Sequence, residues 1–383
     1  MTTLDDFATA KLADLQARHL RRELRTTDRQ DGLWVVRGGR RLLSFSCNDY
    51  LNLSHHPKVK AAAAAAIARY GAGAGASRLV TGNHPLNDRL EARLAKLKGA
   101  QAACIFGSGY LANAGIIPVL AGEGDLVLAD ELSHACIWAG AQLSRARVDV
   151  FRHNDMAHLE ALLKTQRAAH AHALIVTDGV FSMDGDLAPL DALGALAETH
   201  DAWLMTDDAH GLGVLNEGRG SAFVRGVKAR VAVQMGTLSK ALGSYGGYVC
   251  ASEPVIDLIK TRARTLIYST GLPPASAAAA IAALDIIEGD PALAARAVQK
   301  AQSFTRALNL PPAQSPIVPI LLGDPVAALK ASELLEAEGF LVVAIRPPTV
   351  PQGTARLRLA FTAAHPDDEI ARLAKIIRER ILP

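Results

Sequence analysis

Trp203-Leu204-Met205-Thr206-Asp207-Asp208-Ala209-His210-Gly211 and, further on, Val231-Ala232-Val233-Gln234-Met235-Gly236-Thr237-Leu238-Ser239-Lys240-Ala241-Leu242-Gly243 decide how this chain folds. Each begins as a short apolar run and ends in chemically capable side chains. A strand without polar alternation is a strand covered on both faces. Ligands of open α/β sheets gather beyond the carboxyl ends of such strands. Similar runs recur at 102–106, 126–129, 148–151, 174–176 and 248–251, with helical patterns between them. The expected fold class is therefore α/β, with a mainly parallel, doubly covered sheet in a large domain.

Outward from there, Leu86, Leu90, Leu94 and Leu97 recur at helical spacing, with Pro85 at the entrance and Gly99 beyond the last lysine. They predict one amphipathic helix. The alanine-rich runs 61–66 and 275–283 are helix formers by propensity, and 71–76, alternating Gly and Ala, reads as a flexible turn. Toward the amino end, 1–45 reads as an amphipathic helix and two short strands, 33–36 and 42–45, turning at Gly38-Gly39. This is expected to be an arm and not part of a core. After about Glu288 the pattern changes: apolar runs at 317–322, 341–345 and 357–361 alternate with helical stretches 327–338 and 367–381. The predicted division is an arm over 1–45, a large domain over 46–287 and a smaller C-terminal α+β domain over 288–383.

Length and composition agree with this. The 383 residues suffice for two or three domains, half of them are hydrophobic and 21% charged. Forty-one Lys+Arg against 38 Asp+Glu leave +3, too even for a disordered chain or one steered by polyanions, and no nucleic-acid partner is expected. Cys47, Cys104, Cys136 and Cys250 form no CxxC pair, which suits buried thiols in a reducing cytoplasm better than a disulfide framework or a zinc site. The first 25 residues alternate charge with apolar side chains, and no run of about 18 uncharged apolar residues follows, so no membrane partner is expected.

The strand ends carry the chemistry. Lys240, just past a strand and flanked by small hydroxyl and glycine residues, can be held in a cleft where desolvation lowers its pKa, and such a lysine can form a Schiff base. A surface lysine in a loop is the plain alternative. The window lacks the glycine spacing of a phosphate-binding P-loop. Asp207 can hold a protonated ring nitrogen and His210 a phenolic oxygen on the same ring, or the pair can ligate a metal, or Asp208 can cap the next helix. Gly107-Ser108-Gly109-Tyr110 follows the run 102–106 and opens a helical stretch, which places its backbone N–H groups where an anion is favoured, with Thr237 as a second donor. His134, after another strand, can stack on a ring or bond structurally. Ser182 lies in a glycine-rich turn after 174–176 that turn chemistry alone would explain.

The order strand–Asp–His, then strand–Thr–Lys, resembles fold-type I pyridoxal-phosphate (PLP) enzymes. With Phe45-Ser46-Cys47-Asn48-Asp49-Tyr50-Leu51, Ser133-His134-Ala135, the segments 179–185, 207–211 and 237–243 in the same order, the chain resembles the α-oxoamine synthase family. The stretch Ala344-Ile345-Arg346-Pro347-Pro348-Thr349-Val350-Pro351, followed by Gly353-Thr354-Ala355-Arg356-Leu357-Arg358, resembles the branch that uses L-alanine more than the glycine-using relatives.

That resemblance implies pyridoxal 5'-phosphate as cofactor. Lys240 becomes the Schiff-base lysine and the base for the α-proton, with Asp207 on the ring nitrogen and His134 over the ring. It places His210 and Ser182 at the phenolic oxygen, and Gly109, Tyr110 and Thr237 around the phosphate and ring. Asn48 and Arg358 would hold the amino-acid carboxylate, while Thr349 and Arg21 (or Arg22, which the spacing leaves open) would contact the acyl substrate. Thr270, in Tyr268-Ser269-Thr270, would reach a neighbouring subunit's phosphate, which implies a homodimer. The implied reaction condenses L-alanine with a pimeloyl thioester, on coenzyme A (pimeloyl-CoA) or on an acyl-carrier protein, with loss of CO2. The rivals are a glycine-using acyltransferase of the same family and a non-catalytic metabolite-binding α/β protein. A metal-dependent hydrolase fits poorly: no HExxH-like pair occurs, Asp207 and His210 lack a third ligand, and no metal is expected.

Overall fold

The computed structural model describes residues 2–18 and 20–382. Met1 and Pro383, the outer ends of the expected arm and C-terminal domain, lie outside the described residues. The main sheet has seven strands: β1 (Ala102–Phe106), β2 (Leu126–Asp130), β3 (Arg147–Phe151), β4 (Ala173–Asp178), β5 (Trp203–Asp207), β6 (Val233–Thr237) and β7 (Gly247–Ala251). Their order is β1-β7-β6-β5-β4-β2-β3. β7 is antiparallel to β1 and β6, and the other pairs are parallel.

Double coverage shows in the pleat. Leu126 and Leu128 enter one core with Phe151, Leu163 and Leu204, while Val127 and Ala129 enter another with Ile116, Val176 and Met235. Successive side chains point to opposite faces, so a strand apolar at every position must be covered twice. Each fully buried Leu or Val is worth roughly 1.5–3 kcal/mol, which commits the register of the central strands. β6 starts two positions later than the apolar run suggested, because the Val231 N–H closes a turn onto the Ala229 carbonyl at 2.8 Å. Thr237 thereby falls on the strand's carboxyl end.

The helix Pro85–Leu97 follows its sequence signals. Pro85 occupies the first turn, the His84 ring accepts from the Leu86 N–H, and Leu90 and Leu94 face the core. Gly99 stands just beyond with φ +56°, which glycine adopts without a Cβ clash.

Three further strands, β8 (Ile317–Gly323), β9 (Val343–Ile345) and β10 (Ala355–Ala360), form an antiparallel sheet in the order β8-β10-β9. The helices Pro291–Ala307, Pro325–Ala337 and Asp367–Arg380 pack with it. The amino-terminal segment departs from expectation here. Its helix Leu4–Ala17 has no buried residue. Its strands Trp34–Arg37 and Arg40–Ser44, however, pair with each other, and the second pairs in parallel with Phe340–Leu341. Leu43 and Phe45 are fully buried with Phe304, Phe340 and Phe361, so 33–45 belongs to the C-terminal core and is not an arm. The run 341–345 also divides: Phe340–Leu341 serves the amino-terminal strands and Val343–Ile345 serves β10. Among the described residues no helix is long and apolar enough to cross a membrane.

Candidate active site

Parallel register sets Asp178, at the end of β4, directly beside Asp207, at the end of β5. The pleat then sends Asp207 and Asp208 opposite ways. Asp208 does not cap a helix, since turns follow it. Its Oδ2 accepts from Lys98 Nζ at 2.6 Å and its Oδ1 from the Ser221 N–H at 3.0 Å. Both side chains of that ion pair are fully buried. Asp207 faces the other side. Its Oδ2 accepts from Asn113 Nδ2 at 2.7 Å, its Oδ1 from the Ala209 N–H at 2.9 Å, and Cys136 Sγ lies 3.8 Å from Oδ2. A buried carboxylate bonded only by neutral donors is a site for a cation.

Lys240 follows β6 and turns inward. Burial lowers its pKa to about 8, and the Arg358 guanidinium pushes the same way against the nearby carboxylates Asp207 and Asp178. Its Nζ lies 2.8 Å from His210 Nε2. Burial, with Lys240 and Arg358 close by, holds His210 well below the ordinary histidine pKa, so its ring is neutral. His210 Nδ1 meets the Tyr50 hydroxyl at 2.6 Å, and that hydroxyl also reaches Asn48 Oδ1 at 3.3 Å. Arg358, on β10, donates from Nη1 to the same Asn48 oxygen at 3.1 Å and from Nε to the Ser182 carbonyl at 2.5 Å. Arg356, two residues earlier on the same face, pairs with Asp184. The C-terminal sheet thus supplies the guanidinium and the 182–186 turn holds it.

His134 caps the helix Ala135–Ser144. Its ring Nδ1 accepts from the Cys136 N–H at 3.3 Å and lies 2.8 Å from Cys136 Sγ, while its own N–H donates to Asp178 Oδ2 at 2.9 Å. Burial lowers the His134 pKa. Burial raises that of Asp178 well above the carboxylate range, with Asp207 adding repulsion.

At a third corner, Ser108 Oγ caps the helix Gly109–Leu120 by accepting from the Leu111 N–H at 3.2 Å. A Cβ on Gly109 would lie 3.2 Å from Met235 Cε and 3.4 Å from Thr237 Cβ, a tight fit that glycine avoids where this helix end meets the end of β6. Thr237 Oγ1 donates to the Gly246 carbonyl and meets Ser239 Oγ, both at 2.7 Å. Tyr110 and Thr270 are exposed, and Thr270 bridges to Ser77.

The sequence-predicted residues Lys240, His210, Asn48, Arg358 and Ser182 thus form one connected group, and Asp207 and His134 a second within electrostatic reach of Lys240. Gly109 and Thr237 form the third. Thr349 stands with Arg22, whose Nη2 donates to Thr349 Oγ1 at 2.8 Å, and Arg21 makes no such contact among the described residues. Four neighbours carried no role in the sequence reading: Tyr50, Asp178, Asn113 and Cys136. Asn113 left a usable signal, as a polar residue fully buried in an otherwise apolar helix.

These corners fit the parts of PLP. An inward lysine of lowered pKa suits the aldehyde, a buried carboxylate without a cation partner suits the pyridinium, and a helix N-terminus beside a threonine suits the phosphate.

Comparison with known proteins agrees. The model of the aminotransferase class I and II family matches residues 40–377. The 8-amino-7-oxononanoate synthase of Beijerinckia indica is 64% identical over 377 residues, covering 98% of each chain. Among solved structures, a serine palmitoyltransferase from S. paucimobilis with bound PLP superposes with a TM-score of 0.91 at 28% identity, covering 97% of this chain and 96% of that one. The 8-amino-7-oxononanoate synthase of Francisella tularensis gives 0.75 at 28% identity, covering 89% and 98%.

Proposed function

Since the chain belongs to the aminotransferase class I and II family and, within it, to the 8-amino-7-oxononanoate synthases, we propose that it condenses L-alanine with a pimeloyl thioester. The products are 8-amino-7-oxononanoate, CO2 and the free thiol of coenzyme A or an acyl-carrier protein, a step of biotin biosynthesis. The chain is a PLP-dependent enzyme.

PLP, when bound, supplies the electron sink that makes the amino acid's α-proton removable. The protein's own groups do the rest. Arg358, buried and held by Asn48 and Ser182, offers a planar guanidinium to the alanine carboxylate. Lys240, with a pKa near 8, accepts and returns the α-proton close to neutral pH. Asp207, fixed by Asn113 and the Ala209 N–H, would hold the ring nitrogen and keep it protonated, and His134 would lie over the ring. Of the two arginines the spacing left open, Arg22, bonded to Thr349, is the one favoured to contact the acyl donor. Exposed Tyr268 and Thr270 fit a homodimer in which Thr270 reaches the phosphate of a second copy.

The observation that carries this reading is the continuous path from Lys240 through His210, Tyr50 and Asn48 to Arg358, which joins the proton-handling amine to a carboxylate-binding guanidinium. Mass analysis after mixing enzyme, L-alanine and pimeloyl thioester tests it. The mass of 8-amino-7-oxononanoate is expected; faster turnover with glycine and an acetyl thioester would transfer the enzyme to the glycine-using branch.

A further inference from the structure

We propose that Tyr50 is a positioning residue that supports His210 in either neutral tautomer, through a hydrogen-bond chain whose direction reverses when Lys240 stops donating. It deepens the reading above, resting on it only for the placing of His210 at the cofactor's phenolic oxygen, and it is independent of the acyl donor.

Proton counting leads there. A neutral imidazole has one N–H, and both His210 nitrogens have partners: Lys240 Nζ at 2.8 Å on Nε2 and the Tyr50 hydroxyl at 2.6 Å on Nδ1. While Lys240 donates to Nε2, the proton sits on Nδ1 and donates to the Tyr50 oxygen. The Tyr50 proton then turns to Asn48 Oδ1 at 3.3 Å, which Arg358 Nη1 also serves at 3.1 Å. Once the Lys240 nitrogen is engaged by the cofactor, Nε2 must become the donor toward a phenolic oxygen. The Tyr50 hydroxyl then rotates to Nδ1, and Asn48 Oδ1 is left to Arg358 alone. Both arrangements satisfy every atom.

Tyr50 is built for this. It is fully buried, its ring packs in the core with Leu53, Leu212 and Leu242, and burial pushes its hydroxyl up to about 12, so it stays a donor at any working pH. The groups that set the charge around Lys240 and His210 are Asp207 on β5, Asp178 on β4, Cys136 and His134 on their helix, and Arg358 on β10. Among the described residues, Tyr50 alone bonds His210 Nδ1.

The test is Tyr50→Phe in the full-length PLP-loaded enzyme, which keeps the ring and removes the oxygen. Without its partner on Nδ1, His210 is a weaker donor at Nε2, and the anionic phenolic oxygen is less stabilised. The pH midpoint of the visible absorbance change should therefore rise by about half a unit to one unit. The melting temperature should fall by no more than a few degrees, from the lost buried hydrogen bond, and the KM for pimeloyl thioester should stay as in the parent. An unmoved midpoint in a folded, PLP-loaded Tyr50→Phe overturns the proposal. Should that variant not fold, 15N shifts of the His210 ring in the loaded parent enzyme decide: a proton on Nε2 supports the inference and one on Nδ1 refutes it. Product formation by the parent enzyme is the separate control for the reaction itself.

Discussion

Asp207 and Asp208 are adjacent carboxylates with opposite duties, and substitution separates them. Lys98→Met removes the partner of Asp208 while filling a similar volume. Lys98 and Asp208 are both fully buried at 2.6 Å, and Lys98 also donates to the Arg219 carbonyl at 2.6 Å. Leaving a buried carboxylate without its cation costs about 3–5 kcal/mol, and the lost bond to a carbonyl adds about 1 kcal/mol. For a chain of this size that corresponds to a fall in melting temperature on the order of 5–10 °C. Replacing both partners, in Lys98→Met with Asp208→Asn, should recover much of the loss, because no unpaired charge is left. Asp207→Asn, by contrast, keeps an acceptor for the Ala209 N–H and sacrifices one charge-assisted bond from Asn113, so it should melt within a few degrees of the parent. Its affinity for PLP and its visible spectrum should change instead. Calorimetry and PLP titration on the three variants form the assay. If Lys98→Met melts like the parent, or Asp207→Asn melts as low while binding PLP normally, the division of labour is wrong.

Arg358→Lys keeps the charge but loses the parallel donors, so KM for L-alanine should rise by roughly ten- to a hundredfold, with KM for the pimeloyl thioester little changed; steady-state kinetics in both substrates check this. Capture of PLP by cofactor-stripped enzyme needs the neutral Lys240 amine, so its rate should climb about tenfold per pH unit below about 8 and level off above, as stopped-flow absorbance would show. His153 bonds Asp130 at 3.0 Å and Asp186 at 2.8 Å; burial works against its charge, but the two carboxylates raise its pKa to about 10. A raised pKa stabilises the fold fully below the unfolded value near 6.5 and ceases to as pH passes the folded one, so melting temperature should decline between about pH 7 and 10, and less so in His153→Gln.

The large sheet was legible because most of its strands are short, nearly continuous apolar runs, and because Asp207, His210, Thr237 and Lys240 stand within a few residues of strand ends. The amino-terminal strands were not. A short hairpin carries no mark of a partner some 300 positions away, and only the parallel pairing of Leu43 with Phe340 reveals that it completes the C-terminal core. Asp208 was ambiguous for a related reason: the pleat decides which of two neighbouring carboxylates faces the site, and Lys98 lies on a distant helix end. Asp178 and Cys136 were invisible as site residues because their part depends on register between β4 and β5 and on a helix cap at His134.

The carboxylate-binding corner is made at the joint between the two sheets. Segment 45–50 is bonded to the C-terminal unit by the Ala360 N–H on the Phe45 carbonyl and the Ala363 N–H on the Tyr50 carbonyl, both at 2.7 Å. Asn48 is bonded to Arg358 on β10, while Tyr50, two residues on, packs with Leu212 and Leu242 beside the strands that carry Asp207 and Lys240. The same segment reaches back through Tyr50 to His210. A guanidinium on one sheet and an amine past a strand of the other are thus joined through Asn48, Tyr50 and His210. One short stretch of chain, 48–50, therefore touches both the carboxylate-binding corner and the histidine beside Lys240.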